Sequence, residues 1–596
     1  MKLHLPKMMR AVLMAAIVAG VAQAASIDVG SYEPTDPTSA EPKLPGAGYG
    51  IITHGETDLT LSGSDTLGVA DGNGGIVTQF GQQTYNYADT TPSISREGII
   101  SNNYQVNGTL SITEQAQVAL GGQYKVKNSS YLVHQLATGN YDEYTGIIAN
   151  TIVVDSTRSD FALQSSNATV NTLHVKKGIV NLHTQEQSGN SSLIQFAPRD
   201  SKQVQIRQSL VVEDGAQVTI GKHSDYSTTQ DDSHCVVGFG ELELKDWEEK
   251  QVYGISISVP TDYEITSATL TQTGGELTVA GKSVSAGGLN IEQSGGSMSV
   301  SADSYHVLAD YNNATITQSG DNSEMVVGKI IADNYYYNEV VMVFEFAGQE
   351  KPDINPALHL TQEGNGSIAL QGVDFTNYKE GDKASAEVST ITQKGDGTIT
   401  LDGDYVGASF EIKQSGAGTV ALSEGASMTV NNLMLNTNAA LTLAADATLT
   451  VAQGSNITIA LNSMKDADGA LQLADAADLE VFATTITLDL ADVSLGELAA
   501  VATEAGTLVS YTLMTGGEAW RTMLTDGTLT LENAGTSITL DYQGTELLIQ
   551  QVGLAEKDGA LVAELKVSGK SIPEPATATL SLLALAALAA RRRRQK

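Results

Sequence analysis

LTQTGGELTV, residues 270–279, is followed by IEQSGGSMSV at 291–300, and the two share one plan. An apolar residue and a glutamine flank a spacer, a glycine turn follows, and two alternating apolar residues close the unit. Four more segments repeat it: ITQSGDNSEMVV from Ile316, LTQEGNGSIAL from Leu360, ITQKGDGTITL from Ile391 and IKQSGAGTVAL from Ile412. Their glutamines, Gln272, Gln293, Gln318, Gln362, Gln393 and Gln414, are 21, 25, 44, 31 and 21 residues apart. The 44-residue step is about twice the shorter ones, which predicts an unmatched unit between Gln318 and Gln362.

Stacking requires the same residue at the same place in consecutive units. Short alternating strands with glycine turns at a period of ~21 residues therefore predict a parallel β-helix, each coil lying ~4.8 Å from the last. The rival is a set of antiparallel sandwiches, which alternate without needing matched residues. In LTQTG, Leu270 and Gln272 point one way, Thr271 and Thr273 the other, so the glutamines face the interior or its corner. Stacked amides bonded from coil to coil would satisfy groups that are costly to bury alone; a solvated turn residue is the alternative. Gly274, Gly295, Gly320, Gly364, Gly395 and Gly416 are expected to supply the positive φ of the corner.

Working outward, weaker copies precede the repeats, LSITEQAQVAL from Leu110 and LVVEDGAQVTI from Leu210, and near-continuous alternation follows from Met428 to Leu461. With 58 glycines and 5% aromatics the composition is that of strands and turns. One helix is expected, Ser494 to Ala505, with Ser494 as N-cap and Glu497 completing a capping box. Two stretches break the pattern and read as inserted loops or hairpins. One, Asp225 to Tyr263, contains Cys235 and Trp247; the other, Asp333 to Pro356, contains Tyr335, Tyr336 and Tyr337. Those tyrosines would suit sugar rings, or would simply cover a β edge. Short strands at TTITLDL, GTLVSYTLM, TSITLDY and TELLIQQ predict a C-terminal β cap over the exposed end of the stack.

The expected organisation is a signal peptide at 1–24, a proline-rich linker at 25–50 and a solenoid at 51–470 with inserts near 225–263 and 333–356. A cap at 471–555, a linker at 556–572 and a sorting segment at 573–596 complete it.

The N-terminus carries Lys2, Lys7 and Arg10, then an apolar run to about Val21, then Ala22-Gln23-Ala24. That is a positive n-region, an h-region and an A-x-A signal peptidase site at Ala22 and Ala24. Without the leader and the arginine tail, 25 basic residues face 69 acidic ones. A body near −44 repels nucleic-acid phosphate and anionic membrane surfaces and attracts divalent cations. A single cysteine, Cys235, excludes an internal disulfide, so packing and backbone pairing must hold an exported fold; a small buried residue is its expected role.

At the other end, Pro573-Glu574-Pro575 precedes an apolar run from Ala576 to Ala590 and Arg591, Arg592, Arg593 and Arg594. As a helix the run is about 22 Å long, short of a ~30 Å hydrocarbon core, and the arginines would stay cytoplasmic. That predicts a transient anchor. The order and spacing of these parts resemble the PEP-CTERM sorting signal of Gram-negative bacteria, over about 24 residues of the 596. The resemblance implies recognition by an exosortase, a membrane cysteine protease-transpeptidase, with Pro573, Glu574 and Pro575 as a substrate site. It also implies transient inner-membrane association and delivery to the cell surface or extracellular matrix.

Catalytic motifs are sparse. G-x-S-x-G, H-E-x-x-H and Walker loops are absent, and the nine histidines are scattered. A carboxylate pair assembled from neighbouring coils stays open. DGNGG from Asp71 and LDGDYVG from Leu401 resemble loose cation loops, yet match neither an EF-hand nor a nonapeptide calcium repeat, so no cofactor is assigned beyond open Ca2+. The reading is an exported structural or adhesive β-solenoid contacting polysaccharide, not an enzyme. The alternative is a β-helix lyase or glycoside hydrolase acting on an extracellular glycan.

Overall fold

The computed structural model describes short segments at 26–28, 50–53, 76–77, 83–86, 123–127, 143–144 and 307–309. Longer stretches are 57–70, 102–120, 146–165, 167–182, 204–221, 236–252, 255–280, 282–285, 289–300, 314–331 and 357–375. The span 388–571 is described apart from 437, 453–454, 462–468, 476, 482–483 and 492. The chain divides into two compact units: Met1–Pro356 with Gly364–Gln371 and Asn377–Lys383, and Ala357–Glu363 with Gly372–Thr376 and Ala384–Lys596. The fold is all-β and solenoid-like, with two short helices among the described residues.

In the first unit, parallel strands form three columns. The first runs through Gly50–Thr53, the starts of Asn102–Glu114, Gly146–Ser156, Asn167–Leu182 and Val204–Val212, then Val236–Phe239, Lys282–Ser285, Val307–Ala309 and Ile330–Ile331. The second takes Leu59–Leu61, the later halves of the long strands, then Ala268–Gln272, Leu289–Gln293 and Ala314–Gln318. The third runs from Thr66–Ala70 through Gln117–Leu120, Phe161–Ser165, the end of Asn167–Leu182 and Ala216–Ile220 to Glu276–Val279, Ser297–Val300, Glu324–Val327 and Ser367–Asp374. Alternation explains the core. Leu110, Ile152, Leu173, Leu210, Leu270, Ile291 and Ile316 share one register position and are buried. Each such side chain contributes about 1.5–3 kcal/mol when fully buried.

The expected unit between Gln318 and Gln362 does not exist. Glu324–Val327 pairs directly with Ser367–Leu370, so no strand of a further coil lies between them. The earlier insert is an antiparallel hairpin, Glu241–Val252 with Ile255–Thr266. It lies between the first-column strand Val236–Phe239 and the second-column strand Ala268–Gln272. Residues 332–356 fall at the same step, after Ile330–Ile331 and before Leu358–Gln362. Cys235 and the tyrosines 335–337 lie outside the described residues.

The second unit repeats the three-column plan, with Leu360, Ile391, Ile412, Leu435, Ile459 and Leu488 as one buried row. Parallel pairing continues past 470: Leu471–Leu473 joins Leu441–Leu443 to the end of Thr507–Gly516, and Thr484–Asp489 pairs with Leu529–Leu531. The boundary expected at 471 is therefore too early. Nor is 556–572 a linker. Ala560–Ser571 is a strand in an antiparallel sheet ordered Thr507–Gly516, Ala560–Ser571, Thr545–Lys557, Ser537–Tyr542. Its two hairpins turn on Gln543-Gly544 (φ 49°, 79°) and Asp558-Gly559 (φ 52°, 81°), two positive-φ residues each, as a tight turn matched to strand twist requires.

Helix α1, Leu495–Val501, starts at Ser494, whose Oγ accepts from the Glu497 N–H at 3.5 Å. Helix α2, Ala519–Asp526, carries no side-chain cap at its start and ends on Gly527 at φ 77°. Burial of Trp520, whose indole donates to the Gly516 carbonyl at 2.9 Å, supports it.

Candidate functional site

Gln272, Gln293 and Gln318 occupy equivalent register positions and are buried. Gln293 Nε2 donates to Gln272 Oε1 at 3.0 Å, and Gln318 Nε2 to Gln293 Oε1 at 3.0 Å. Each amide also reaches a carbonyl of its own turn, Gly275, Gly296 or Ser323, at 3.0, 3.1 and 3.2 Å. Each reaches the next coil as well, at Ser297, Glu324 or Ser367 (2.8, 2.9 and 2.8 Å). An amide NH2 has two protons, so these acceptors share them. In the second unit Gln393 Nε2 lies 3.5 Å from Gln362 Oε1, and Gln393 Oε1 is buried with no partner. Gln414 is only half-buried, and its Oε1 accepts from the Ala440 N–H at 3.0 Å.

The same register position is apolar in the earlier coils: Leu61, Ile112, Val154, Val175 and Val212. The copies from Leu110 and Leu210 therefore align with the repeats, with Ile112 and Val212 standing in for glutamine.

Positive φ falls one residue later than expected, at Gly275 (67°) and Gly296 (78°), and at none of Gly274, Gly295, Gly320, Gly364, Gly395 or Gly416. What constrains the first glycine is close approach: a Cβ on Gly274 would lie 2.8 Å from Asp214 Cα, and one on Gly364 2.5 Å from the Ser319 oxygen. The later glycine is roofed by the previous coil's amide. A Cβ on Gly296 would sit 2.9 Å from Gln272 Nε2, and one on Gly366 2.9 Å from Gln318 Oε1. Glutamine and glycine thus depend on each other across the coil boundary.

Among the described residues, a concavity in each unit faces solvent. In the first unit a groove of about 460 Å³ crosses successive turns, over Gly178, Gly215, Gly275 and Gly296, with Arg158 and Lys177 along it. Asp160 grips Arg158 through Nε at 2.6 Å and Nη2 at 2.9 Å, and that pairing holds the Asp160 carboxyl below its ordinary range. In the second unit a notch of about 280 Å³ opens above Ala460, with Lys413, Asn436 and Asp489 around it. Glu411 binds both Lys413 Nζ (2.8 Å) and Asn436 Nδ2 (2.6 Å), while Lys394 Nζ meets Glu363 at 2.8 Å. Ammonium, amide and carboxylate groups set this way can exchange bonds with ligand hydroxyls. Neither concavity had a local sequence signature, because residues far apart in the chain line each one.

Leu401 to Gly407 lies within the strand Thr398–Gln414 and is no loop. Asp402 accepts from Ser423 Oγ at 2.8 Å and Asp404 from Ser427 Oγ at 2.5 Å. Residues 71–75 lie outside the described ones. Among the described residues no cluster of His, Cys, Asp and Glu could hold a metal, and no helix is long and apolar enough to cross a membrane.

Ala22, Ala24, Pro573, Glu574, Pro575 and Arg591 to Arg594 lie outside the described residues; the last described strand ends at Ser571. No curated protein matches the chain. Residues 571–594 match the family model described as the PEP-CTERM protein-sorting motif, a span that holds the Pro-Glu-Pro and all four arginines. The chain therefore carries the PEP-CTERM signal, which implies export, processing by an exosortase and sorting to the outside of the cell.

Proposed function

We propose that the mature protein is a parallel β-helix serving as a structural or adhesive component of the cell surface or extracellular matrix, in contact with polysaccharide. The observation that carries this is the groove over the stacked turns at Gly178, Gly215, Gly275 and Gly296. Its floor repeats with the coil spacing of ~4.8 Å, which suits repeated weak contacts with a polymer better than one preorganised centre. In this reading the antiparallel C-terminal sheet closes the stack, and the glutamine rows hold the coils in register. The exosortase is the processing partner, and the apolar run at 576–590 anchors the chain only until it is cut.

The test is to incubate the purified chain with a panel of bacterial and host polysaccharides and to measure both retention and newly formed reducing or unsaturated ends. Retention without turnover is expected, and Lys177→Ala should lower it. Turnover that vanishes when one Asp or Glu is replaced would make the protein a glycan lyase or hydrolase. Absence of both retention and turnover would sink the polysaccharide reading.

A further inference from the structure

Six large apolar side chains are exposed among the described residues, and three of them, Leu508, Leu548 and Val552, lie on one face of the antiparallel C-terminal sheet. Register places them there. Leu508 pairs with Lys566, and Lys566 with Gln550, so those three share a face; Leu548 stands two residues before Gln550, and Val552, two residues after it, is the exposed residue of a bulge between Gln551 and Gly553. The opposite face carries Val509, Tyr511, Leu547, Ile549, Leu565 and Val567, all buried. That face is covered by the protein except at its edge, where Ile538, opposite Ile549, is 37% exposed. On the other, positions that alternation assigns to water hold aliphatic side chains 54%, 43% and 43% exposed.

Charge on this outer face is mixed, two lysines among three carboxylates. Lys570 stands opposite Glu546, Lys566 lies next along the same strand, and Glu564 follows opposite Ser510, with Asp541 at the rim opposite Glu546. Two ammonium groups therefore sit among the aliphatic side chains, where long stems can lie along apolar surface and keep their charges in a headgroup layer.

Chain length says what lies nearby. Ala560–Ser571, a central strand of the sheet, ends on the first residue that the sorting motif matches. From Ser571 to Ala576, where the apolar run begins, five residues can span at most about 17 Å. While that run is in the bilayer, the sheet is held within that distance of the surface, at a high effective concentration of lipid.

We infer that the outer face of the C-terminal sheet, through Leu508, Leu548, Val552, Lys566 and Lys570, docks on the headgroup layer of the membrane while the sorting segment is inserted. The inference rests on residues 576–590 acting as the transient anchor. Three aliphatic side chains alone give weak, reversible attachment, so docking is expected only in the tethered, uncleaved chain. Cutting the tether then releases the protein without a second step. Docking would also fix the orientation in which Pro573-Glu574-Pro575 is presented to a membrane protease.

The experiment uses the full uncleaved chain with Cys235→Ser in vesicles of zwitterionic phosphatidylethanolamine and phosphatidylcholine that carry a headgroup quencher. A fluorophore is placed by Ser568→Cys, on the proposed face beside Leu548, or by Glu424→Cys, in an exposed turn of the parallel stack. Several-fold stronger quenching at 568 than at 424 is expected. Combining Leu508→Glu, Leu548→Glu and Val552→Glu should remove that difference while the chain still sediments with the vesicles. Equal quenching at the two sites in vesicle-bound chain would overturn the docking and leave the anchor intact. A triple variant that keeps the quenching but loses self-association would show that the face pairs copies of the chain. Chain left in the supernatant would instead overturn the anchor reading, and the docking with it.

Discussion

Two runs of coils in the first unit solve the same packing problem differently. At one register position the earlier coils place Val154, Val175 and Val212, while the later ones place Gln272, Gln293 and Gln318. The valines need only apolar neighbours. The glutamines need one another, the carbonyls of their own turns and a glycine in the following coil. An interior amide is therefore not a tolerated polar defect here; it closes a corner whose carbonyls would otherwise be buried without donors. The valine coils should accept local change, whereas the glutamine coils should transmit it to their neighbours.

The hardest way to break the glutamine coils is through the glycine. Gly296→Ala sets a Cβ on a residue at φ 78° and 2.9 Å from Gln272 Nε2. Left-handed strain together with a lost buried hydrogen bond should cost about 3–5 kcal/mol. Denaturant unfolding would measure it, and hydrogen exchange should show loss of protection in 270–279 as well as 291–300. Gln293→Leu comes next, at about 2–3 kcal/mol, because Gln272 and Gln318 both lose a partner. Ile112→Leu, a volume-conserving swap at the equivalent position of an apolar coil, should stay below about 1.5 kcal/mol. Equal costs for the two would erase the distinction. Gln393→Leu sharpens it further. Its Oε1 already lacks a partner, so the loss should be smaller than at Gln293, about 1–2 kcal/mol.

The smallest effect at neutral pH belongs to the C-terminal sheet. Burial, reinforced by the nearby Glu497 carboxylate, pushes the Tyr511 phenol from 10.0 up to about 12. The folded state holds this group neutral, so the stabilisation is complete below pH 10 and is lost between pH 10 and about 12 as the unfolded chain ionises first. Tyrosinate absorbance followed against pH should show late-titrating phenols, since burial also raises Tyr405 and Tyr104, and Tyr511→Phe should remove the part that titrates near 12.

Much of this was legible in the residues. Repeated Gln and Gly at matched places required stacking, and Ser494 with Glu497 marked α1. Lys557-Asp558-Gly559 followed by the alternation ALVAELKV also carried the signal of a hairpin; reading 556–572 as a linker missed a strand that its own turn announces. Helix α2 had no such signal, since its start lacks a capping side chain and Trp520 is held by tertiary burial.

Period and face were properties of the sequence by itself, because alternation at a fixed spacing has one economical outcome: apolar rows inside and matched turns at the corners. The C-terminal sorting signal was too, since three short adjacent parts specify it. Only the tertiary structure decided which glycine takes the positive φ, which amide is left without a partner, and that Glu324–Val327 pairs directly with Ser367–Leu370 across the 44-residue step. It also decided that Leu508, Leu548 and Val552 share a face beside the tether. Those outcomes depend on which residues of neighbouring coils and strands come to lie against each other, a register that no local window of sequence contains.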